Sequence, residues 1–421
     1  MKNIDKEGVT ERIYVLGRKD KKPEGVLNIG RYYALDSSLG SNVYVDILRP
    51  HVMTICGKRG YGKSYTIGVL IEEIARLEKK IKDNLGVIII DTLGIYWTTI
   101  KTNQEKNILK KWNLKPESFD INLLVPNKHI KTYKENNIEA KSFSIPASEL
   151  TPFHWCQLFN IKPTDPLGIA LTRAVLKLKE QKPAYSLQDL TDYIKNDRRC
   201  DETVKAAAEN FLKTAELWSI FDKNGISVQR LIERGAITVL DISHLPTEEL
   251  KDIVVSVVGE KIFEERVKAR KIHEQKKMGI TVKDEEMPMV WMAIDEAHIF
   301  LPHDKKNLSK KVLINEWMRQ GRQPGLSLIL ATQRPSSVDS EVLSHSDLII
   351  CHRLTSHEDI ESLGRIRPTY MHSSIEEAIR KIGDEKGVAL IVDDTSESSH
   401  IIKIRPRLSW HGGAESLVFK P

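Results

Sequence analysis

The sequence predicts an α/β fold in which helices cover both faces of a mainly parallel β-sheet. From Val43 onward, short apolar and β-branched runs alternate with longer helical patterns, which is typical of strands buried on both faces. A chain of 421 residues is long enough to bury a large core of this kind. Strands are predicted near 51–56, 86–91, 236–241, 289–295, 326–332, 347–352 and 387–393.

A stretch of amphipathic helices interrupts this alternation. It has almost no strand signal, and Trp155, Phe159, Phe211 and Trp218 have the spacing of a packed helical core. Its helices are predicted near 166–180, 187–196 and 202–219. The chain is therefore expected to comprise a short N-terminal β appendage, a first part of the core, a helical insertion, and a second part of the core with a C-terminal segment, at 1–48, 49–144, 145–232 and 233–421.

Composition and charge exclude several classes of protein. The longest apolar runs are too short to cross a bilayer, so no membrane association is expected. The N-terminus lacks the apolar stretch of a signal peptide, and the four cysteines are scattered, so neither a disulfide framework nor a zinc site is expected. We expect a cytoplasmic location. A net charge of +6 permits an anionic partner but does not identify one.

One segment matches the phosphate-binding pattern GxxxxGK[ST] without a mismatch, between an apolar strand and a helix. Its glycines let backbone N–H groups point at a phosphate, and the helix N-terminus adds partial positive charge. Lys63 is predicted to reach the β and γ phosphates and the Ser64 hydroxyl to bind Mg²⁺. A glycine-rich turn with a capping serine is the structural alternative. The predicted nucleotide-binding residues are Gly57, Lys58, Arg59, Gly60, Tyr61, Gly62, Lys63, Ser64 and Tyr65.

Two later strands end in polar residues that suit hydrolysis. Asp295 follows the apolar run 289–294 and is predicted to hold Mg²⁺ through water, with Glu296 as the general base. Gln333 follows the run 326–331 and is expected to contact the γ phosphate and the attacking water. The structural alternatives are a solvated acidic turn after the first strand and a strand cap before Pro335 after the second.

Together these motifs resemble the HerA-like branch of the HerA/FtsK superfamily of hexameric P-loop motor ATPases, over roughly 29–413. The other segments that carry the resemblance are 88–91, 236–243, 295–298, 319–325, 331–335 and 405–413. The resemblance implies a RecA-like P-loop NTPase core and a Mg²⁺-dependent ATPase. It also implies a homohexamer that moves duplex DNA through its channel with ATP, often beside a nuclease in DNA-end processing.

The same resemblance implies further site residues. An arginine from a neighbouring subunit completes each active site, and Arg319 and Arg322 lie in the matching segment, about one turn apart on a predicted helix. Their alternative role is as helix-end cations. Arg405 and Arg407 are implied nucleotide contacts in the C-terminal segment. The chain departs from the family in having only about fifty residues before the P-loop, where a β-barrel is common, and in having Arg59 and Tyr61 where small residues are frequent. Tyr61 is expected to crowd the loop or stack on a neighbour.

A translocating ring needs basic loops that contact DNA phosphates rather than bases. The segment 301–311 is predicted to be an exposed basic loop, and the region 260–287 a long surface helix followed by a charged loop. The candidate DNA-binding residues are Lys305, Lys306, Lys310 and Lys311. A solvated charged face is the alternative for these lysines, and His298 is interpreted as a hydrogen-bonded packing residue.

Two other functions remain compatible with the sequence. One is a nucleotide-gated scaffold or signalling ATPase that assembles an effector without moving along DNA. The other is a DNA-transfer or packaging pump, which uses the same engine. The motifs at Lys63 and Glu296 are common to all three.

Overall fold

One large β-sheet runs through the part of the chain that this computed structural model describes, which is residues 14–20, 22–34, 36–223, 225–283, 286–365 and 375–413. The strands are β1 (Val15–Leu16), β2 (Val26–Tyr33), β3 (Leu39–Asp46), β4 (Val52–Cys56), β5 (Leu85–Asp91), β6 (Asn122–Pro126), β7 (Lys141–Phe143), β8 (Ile145–Pro146), β9 (Phe221–Asp222), β10 (Ile237–Asp241), β11 (Met289–Ile294), β12 (Leu326–Thr332), β13 (Leu348–His352), β14 (Val388–Asp393) and β15 (Ser398–Ile404).

The helices alternate with these strands along most of the chain. They are α1 (Lys63–Ala75), α2 (Lys79–Lys82), α3 (Lys106–Lys111), α4 (Ile130–Glu135), α5 (Pro152–Leu158), α6 (Pro166–Gln181), α7 (Leu187–Asn196), α8 (Glu202–Leu217), α9 (Val228–Leu231), α10 (Glu248–Lys277), α11 (Leu308–Val312), α12 (Ser340–His345), α13 (His357–Gly364) and α14 (Ile375–Lys381). Among the described residues, no helix is both long enough and apolar enough to span a bilayer.

Thirteen of the described strands form the large sheet, in the order β1-β3-β2-β15-β14-β13-β4-β12-β11-β5-β10-β6-β7. From β13 to β7 every neighbouring pair is parallel. The strands β14, β15, β2 and β3 continue the sheet in antiparallel pairs. This arrangement confirms the predicted α/β fold. The carboxyl ends of the parallel strands therefore meet at one edge, which is where such sheets place their ligands.

All seven predicted strands are present, as β4, β5, β10, β11, β12, β13 and β14. The sequence did not predict β6, β7 or β15. The first two are short, and β15 begins with Ser-Ser-His, so its apolar pattern is confined to its second half. The N-terminal strands join the main sheet because β15 pairs with β2 on one side and β14 on the other.

Alternate residues of the central strands face two separate cores, as a strand period of two requires. Ile88 and Ile90 of β5 pack in one core with α10 and the helices between 145 and 232. Val87 and Ile89 of the same strand pack in the other, which contains α1. Both faces are thus covered, and this explains why the central strands are continuously apolar.

The helices predicted near 166–180, 187–196 and 202–219 correspond to α6, α7 and α8. The predicted aromatic core is confirmed. Trp155 and Phe159 are buried with their ring centroids 5.8 Å apart, and Phe211 lies 4.8 Å from Phe159. Trp218 packs against the same core and lies 6.3 Å from Phe221.

Two predicted surface segments differ in the structure. The long helix α10 begins at Glu248, ahead of the predicted range, and its first half is buried because it packs against the sheet. The prediction of an exposed loop over 301–311 is wrong for its last residues. Its last residues belong to α11, whose Leu308 and Ser309 are buried.

Candidate active site

The phosphate-binding segment connects β4 to the first turn of α1, as predicted. Gly60 and Gly62 have φ angles of 80° and 119°, which L-residues rarely adopt, so the loop can curl only with glycine at these positions. The Lys63 ammonium lies within the loop and donates to the Lys58 carbonyl oxygen at 3.4 Å. Lys58 and Arg59 are exposed at the loop surface. The backbone N–H groups and Lys63 thus form a concave cationic site at the amino end of a helix.

Asp295 follows β11 at the same edge of the sheet and is fully buried. Its Oδ1 accepts the Glu296 backbone N–H at 2.9 Å, and its Oδ2 accepts the Tyr96 hydroxyl at 3.1 Å. Glu296 has φ 55° and ψ 48°, a left-handed conformation that is uncommon outside glycine and is found at functional sites. The two adjacent carboxylates therefore diverge instead of both entering the core.

Glu296 is surrounded by groups that suit a general base. Gln333 donates its side-chain amide to both carboxylate oxygens at 3.4 Å, and His298 Nδ1 lies 3.3 Å from Oε2. Burial, then the charge of Asp295, raises the pKa of Glu296, while Lys63 and the Gln333 hydrogen bond oppose this shift. Burial likewise lowers the pKa of Lys63, against the attraction of both carboxylates. The structure therefore gathers Lys63, Asp295, Glu296 and Gln333 in one pocket.

Tyr96 lies in the site but was not singled out by the sequence analysis. It is fully buried, and its hydroxyl lies 3.5 Å from the Ser64 carbonyl oxygen besides donating to Asp295. The Tyr96 backbone N–H donates to Asp91, which also accepts the N–H groups of Leu93, Gly94 and Ile95. The hydroxyl thus lies between the Asp295 carboxylate and the backbone of Ser64. No sequence pattern marks a tyrosine for this role, because the contact joins three separate elements.

Ser64 and Asp295 fit a magnesium ion by their chemistry. A hydroxyl and a carboxylate are the hard oxygen ligands that Mg²⁺ prefers, and the ion usually keeps several waters when so few protein groups bind it. The Tyr96 hydroxyl brings these two residues to the same place. Mg²⁺ binding by Ser64 and Asp295 stays a prediction. The oxygen ligands that these two residues offer agree with it.

Arg319 and Arg322 are placed differently. Arg319 ends the helical segment and pairs with Glu341, with its Nη2 2.7 Å from Oε2. Arg322 lies in the turn that follows, not on the same helix as predicted, and its side chain is exposed. Within the described residues, no ion pair or hydrogen bond involves its guanidinium. Both arginines precede β12, at the edge of the sheet opposite the P-loop, because β12 and β4 are parallel. They therefore face away from the site of their own chain.

Arg405 and Arg407 are buried against the P-loop helix, at 2% and 1% exposure. Arg405 Nη1 lies 2.9 Å from Glu72 Oε2, and Arg407 Nε lies 3.2 Å from Glu72 Oε1. The Tyr65 hydroxyl, in turn, accepts the Arg407 backbone N–H at 2.7 Å. Direct nucleotide contact by the two arginines would require this cluster to open, and it stays an untested prediction.

The four candidate DNA-binding lysines differ in exposure and in their contacts. Lys305 and Lys306 are exposed on the loop that follows the Glu296 turn, at the rim of a cleft of about 820 Å³ that His298 and Arg334 also line. Lys310 is instead held by Asp339 at 2.6 Å and donates to the Pro302 carbonyl oxygen at 2.8 Å. Lys311 is exposed on α11. Lys310 therefore stabilises the loop. Lys305 and Lys306 are exposed, whereas the charge of Lys311 acts on Glu260 and Glu316 and lowers their pKa values against the effect of burial.

Tyr61 of the P-loop stacks on a neighbouring side chain, which is one of the two arrangements predicted for it. The Arg353 guanidinium lies over the Tyr61 ring, 5.5 Å from its centroid, and Arg353 Nη1 is 3.4 Å from the Tyr61 hydroxyl. A cation–π contact of this kind stabilises the ring position. Tyr61 is thereby held beside the loop.

Known proteins resemble this chain in sequence and in structure. A DNA double-strand break repair helicase HerA from Sulfurisphaera tokodaii is 26% identical over 76% of this chain and 58% of its own length. A probable helicase from Methanocaldococcus jannaschii is 26% identical over 80% of this chain and 62% of its own length. The chain thus spans about three fifths of these curated relatives. The structure of VirB4 of Thermoanaerobacter pseudethanolicus matches with a TM-score of 0.56 at 16% identity, over 92% of this chain and 98% of that one, which supports the fold.

A family model gives the assignment. The model described as "Helicase HerA, central domain" matches residues 27–262, more than half of the chain. The matched range contains the complete P-loop, α1 and the helices between 145 and 232. It ends within α10, ahead of Asp295 and Glu296, which the structure nevertheless brings to the same pocket. The chain belongs to the family of the helicase HerA central domain.

Proposed function

We propose that the chain is an ATP-driven motor of the helicase type, which hydrolyses ATP with Mg²⁺ and translocates duplex DNA as a homohexameric ring. Its expected role is DNA-end processing with a nuclease partner. The observation that carries the proposal is the convergence of Lys63, Asp295, Glu296 and Gln333 at one edge of the sheet. Family membership and relatives named as DNA double-strand break repair helicases support it.

The chemistry follows from the positions of these groups. The loop N–H groups and Lys63 bind the β and γ phosphates, for which Lys63 exchanges its contact with the Lys58 carbonyl oxygen. Mg²⁺, when bound by Ser64 and Asp295, neutralises phosphate charge. Glu296 orients and deprotonates the attacking water, since its raised pKa favours proton uptake. The Gln333 amide, which now donates to Glu296, contacts the water or the γ phosphate once nucleotide is present.

A head-to-tail ring would add an arginine of the neighbouring subunit to each pocket. The pocket of one chain contains Lys63 as a cation, whereas Arg322 lies exposed at the opposite edge of the sheet. In a head-to-tail ring, that edge of one subunit can approach the pocket of the next. We therefore propose Arg322 as the arginine that acts in trans, because Arg319 is held by Glu341. Lys305, Lys306 and Lys311 are the proposed contacts to DNA phosphates.

The test combines turnover, movement and mass. ATP hydrolysis is measured with and without duplex DNA, strand movement by displacement of a triplex-forming oligonucleotide, and native mass with a non-hydrolysable ATP analogue. We expect DNA-stimulated hydrolysis, ATP-dependent triplex displacement and a species of six subunits. Glu296→Gln is the matched control, since it should assemble without displacing the triplex.

Other outcomes would select another function. DNA-independent hydrolysis without triplex displacement would contradict the motor and favour a nucleotide-gated scaffold. A monomer under every ligand condition would contradict the ring. Failure of the purified wild-type chain to bind ATP or ADP would contradict the proposal as a whole.

A further inference from the structure

His352 lies directly beneath the P-loop. It ends β13, which pairs with β4 on one side and β14 on the other, and its side chain is fully buried. The sequence motifs did not single it out. Neither the predicted nucleotide contacts nor the predicted hydrolytic residues include it, although β13 is the immediate neighbour of the strand that leads into the loop.

The loop glycines leave room for this side chain. A Cβ atom added to Gly57 would lie 2.6 Å from His352 Cβ, and one added to Gly62 would lie 3.2 Å from the imidazole Cε1. The two glycines are at opposite ends of the loop, so His352 fills the space that both leave empty, with its Cβ against Gly57 and its imidazole against Gly62. The loop is therefore wrapped around His352.

Hydrogen bonds fix the imidazole on both sides. Nδ1 lies 3.1 Å from the Val388 carbonyl oxygen in β14, so Nδ1 must carry the proton and donate. Nε2 is then an acceptor, 2.9 Å from the Thr66 hydroxyl. The Thr66 hydroxyl has one proton and donates it to Nε2, and the Gly62 carbonyl oxygen accepts the Thr66 backbone N–H at 2.8 Å. Burial lowers the pKa of His352 to about 4, so the ring is neutral at ordinary pH and this donor–acceptor pattern is maintained.

These contacts form a continuous chain. It runs from the β14 backbone through His352 to the Thr66 hydroxyl in the first turn of α1, and from the Thr66 backbone N–H to Gly62 in the loop. These contacts fix the position of both ends of the loop relative to the strands of the sheet. A phosphate-binding loop that already has its binding conformation loses less free energy to ordering when the ligand binds.

We propose that His352 is a positioning residue that holds the P-loop in its phosphate-binding shape, through packing under Gly57 and Gly62 and through its hydrogen bond with Thr66. The expected effect on nucleotide affinity rests on the proposed function. The conformation of the loop can be measured without nucleotide. His352 touches no reacting atom in this role.

The first test is amide hydrogen exchange of the nucleotide-free protein. In His352→Ala and Thr66→Val, a peptide covering 57–66 should exchange faster than in the wild type, because the loop loses its support. Thr66→Ser keeps the hydroxyl and should restore wild-type exchange. The matched control is His154→Asn, since His154 is also buried and neutral but lies in α5. Unchanged exchange over 57–66 in both His352→Ala and Thr66→Val would overturn the inference.

The second test is ADP affinity in the presence of EDTA, measured by calorimetry. Thr66→Val should weaken ADP binding roughly two- to tenfold, the effect of one net hydrogen bond, and His352→Ala about tenfold or more. The KM for ATP should rise while kcat at saturating ATP changes little, as expected when ground-state and transition-state binding are lost equally. Thr66→Ser and His154→Asn should bind ADP normally. If His352→Ala exchanges faster but wild-type protein does not bind ADP, the nucleotide-binding function fails while the loop geometry stands. If His352→Ala binds ADP as the wild type does, the positioning role is overturned.

Discussion

The side-chain amide of Gln333 lies 3.4 Å from both carboxylate oxygens of Glu296, although the two residues follow different strands. The strands β11 and β12 are parallel neighbours, so their carboxyl ends present these side chains to each other. The amide therefore orients the carboxylate that is expected to activate water.

Glu296→Gln should separate nucleotide binding from hydrolysis. Loss of a general base lowers kcat by about 10²- to 10⁴-fold, whereas the loop and Lys63 remain able to bind ATP. Equilibrium binding of a fluorescent ATP analogue and steady-state turnover measure the two effects. Lys63→Ala is the contrasting variant and should lose binding itself. Normal turnover in Glu296→Gln would refute its role as base.

Tyr96→Phe removes the hydroxyl that donates to Asp295, one of the two predicted magnesium ligands. A group behind a metal ligand typically contributes about tenfold or more to metal affinity. We therefore expect the Mg²⁺ concentration that half-saturates Mg²⁺-dependent ADP binding to rise about tenfold, with ADP binding in EDTA unchanged. Calorimetric titration reads both quantities without turnover. An unaltered Mg²⁺ requirement would exclude this supporting role.

Arg322→Ala should strongly lower hydrolysis in the neighbouring subunit's site. An arginine that acts in trans contributes about 10³-fold or more to kcat, so turnover should fall by that factor while ADP affinity is retained. Arg319→Ala should lower kcat less, because its guanidinium is engaged with Glu341. Mixing Lys63→Ala with Arg322→Ala subunits should restore part of the activity if sites are shared. No recovery in the mixed assembly would contradict a shared site.

Arg407→Met should destabilise the fold more than it changes nucleotide affinity. It leaves the fully buried Glu72 with fewer partners, and breaking a buried ion pair typically costs about 3 kcal/mol or more in the free energy of unfolding. Urea unfolding measures this loss, and calorimetry measures ADP affinity. Lys213→Ala breaks an exposed pair on α8 and should leave the free energy of unfolding nearly unchanged. A large loss of ADP affinity with unchanged stability would instead support direct nucleotide contact.

The buried His51 is expected to make the free energy of unfolding depend on pH. Burial alone would lower its pKa, but hydrogen bonds and charges of Asp347 and Asp46 raise the pKa to about 9 from 6.5. Because the folded state binds the proton more tightly, this stabilisation is complete below pH 6.5 and is lost as the pH rises through 9. The free energy of unfolding should fall by about 3 kcal/mol over this interval.

Urea unfolding at several pH values tests this dependence against His51→Gln, in which the decrease should be absent. Subtracting the two curves removes the contributions of other titrating groups. His345→Gln alters an exposed histidine and should keep the wild-type slope. Equal slopes in the wild type and His51→Gln would contradict the prediction.

Much of the pocket could be predicted because its residues lie in contiguous motifs. The spacing from Gly57 to Ser64 encodes the loop locally, and Asp295 and Glu296 directly follow a continuous apolar strand. Such signals require neither tertiary contacts nor partners. The central strands were predictable for the same reason, since burial on both faces requires uninterrupted apolar runs.

The remaining features depend on contacts between distant elements. Tyr96 and His352 are single residues whose roles arise only when other strands place Asp295 and the P-loop beside them. The ion pairs of Arg405 and Arg407 join the C-terminal segment to α1, and no local pattern distinguishes such a contact from a nucleotide contact. The strand β15 was missed because its first residues are polar.

The place of β15 between β2 and β14 has a consequence for biosynthesis. Tyr32 is in register with Ile402, so the early hairpin of β2 and β3 finds its neighbour only after nearly the whole chain has left the ribosome. Until then, the nascent hairpin presents an unsatisfied edge in a crowded cell, where such edges are prone to misassociate. The topology therefore delays the completion of this edge until the residues of β15 have been synthesised.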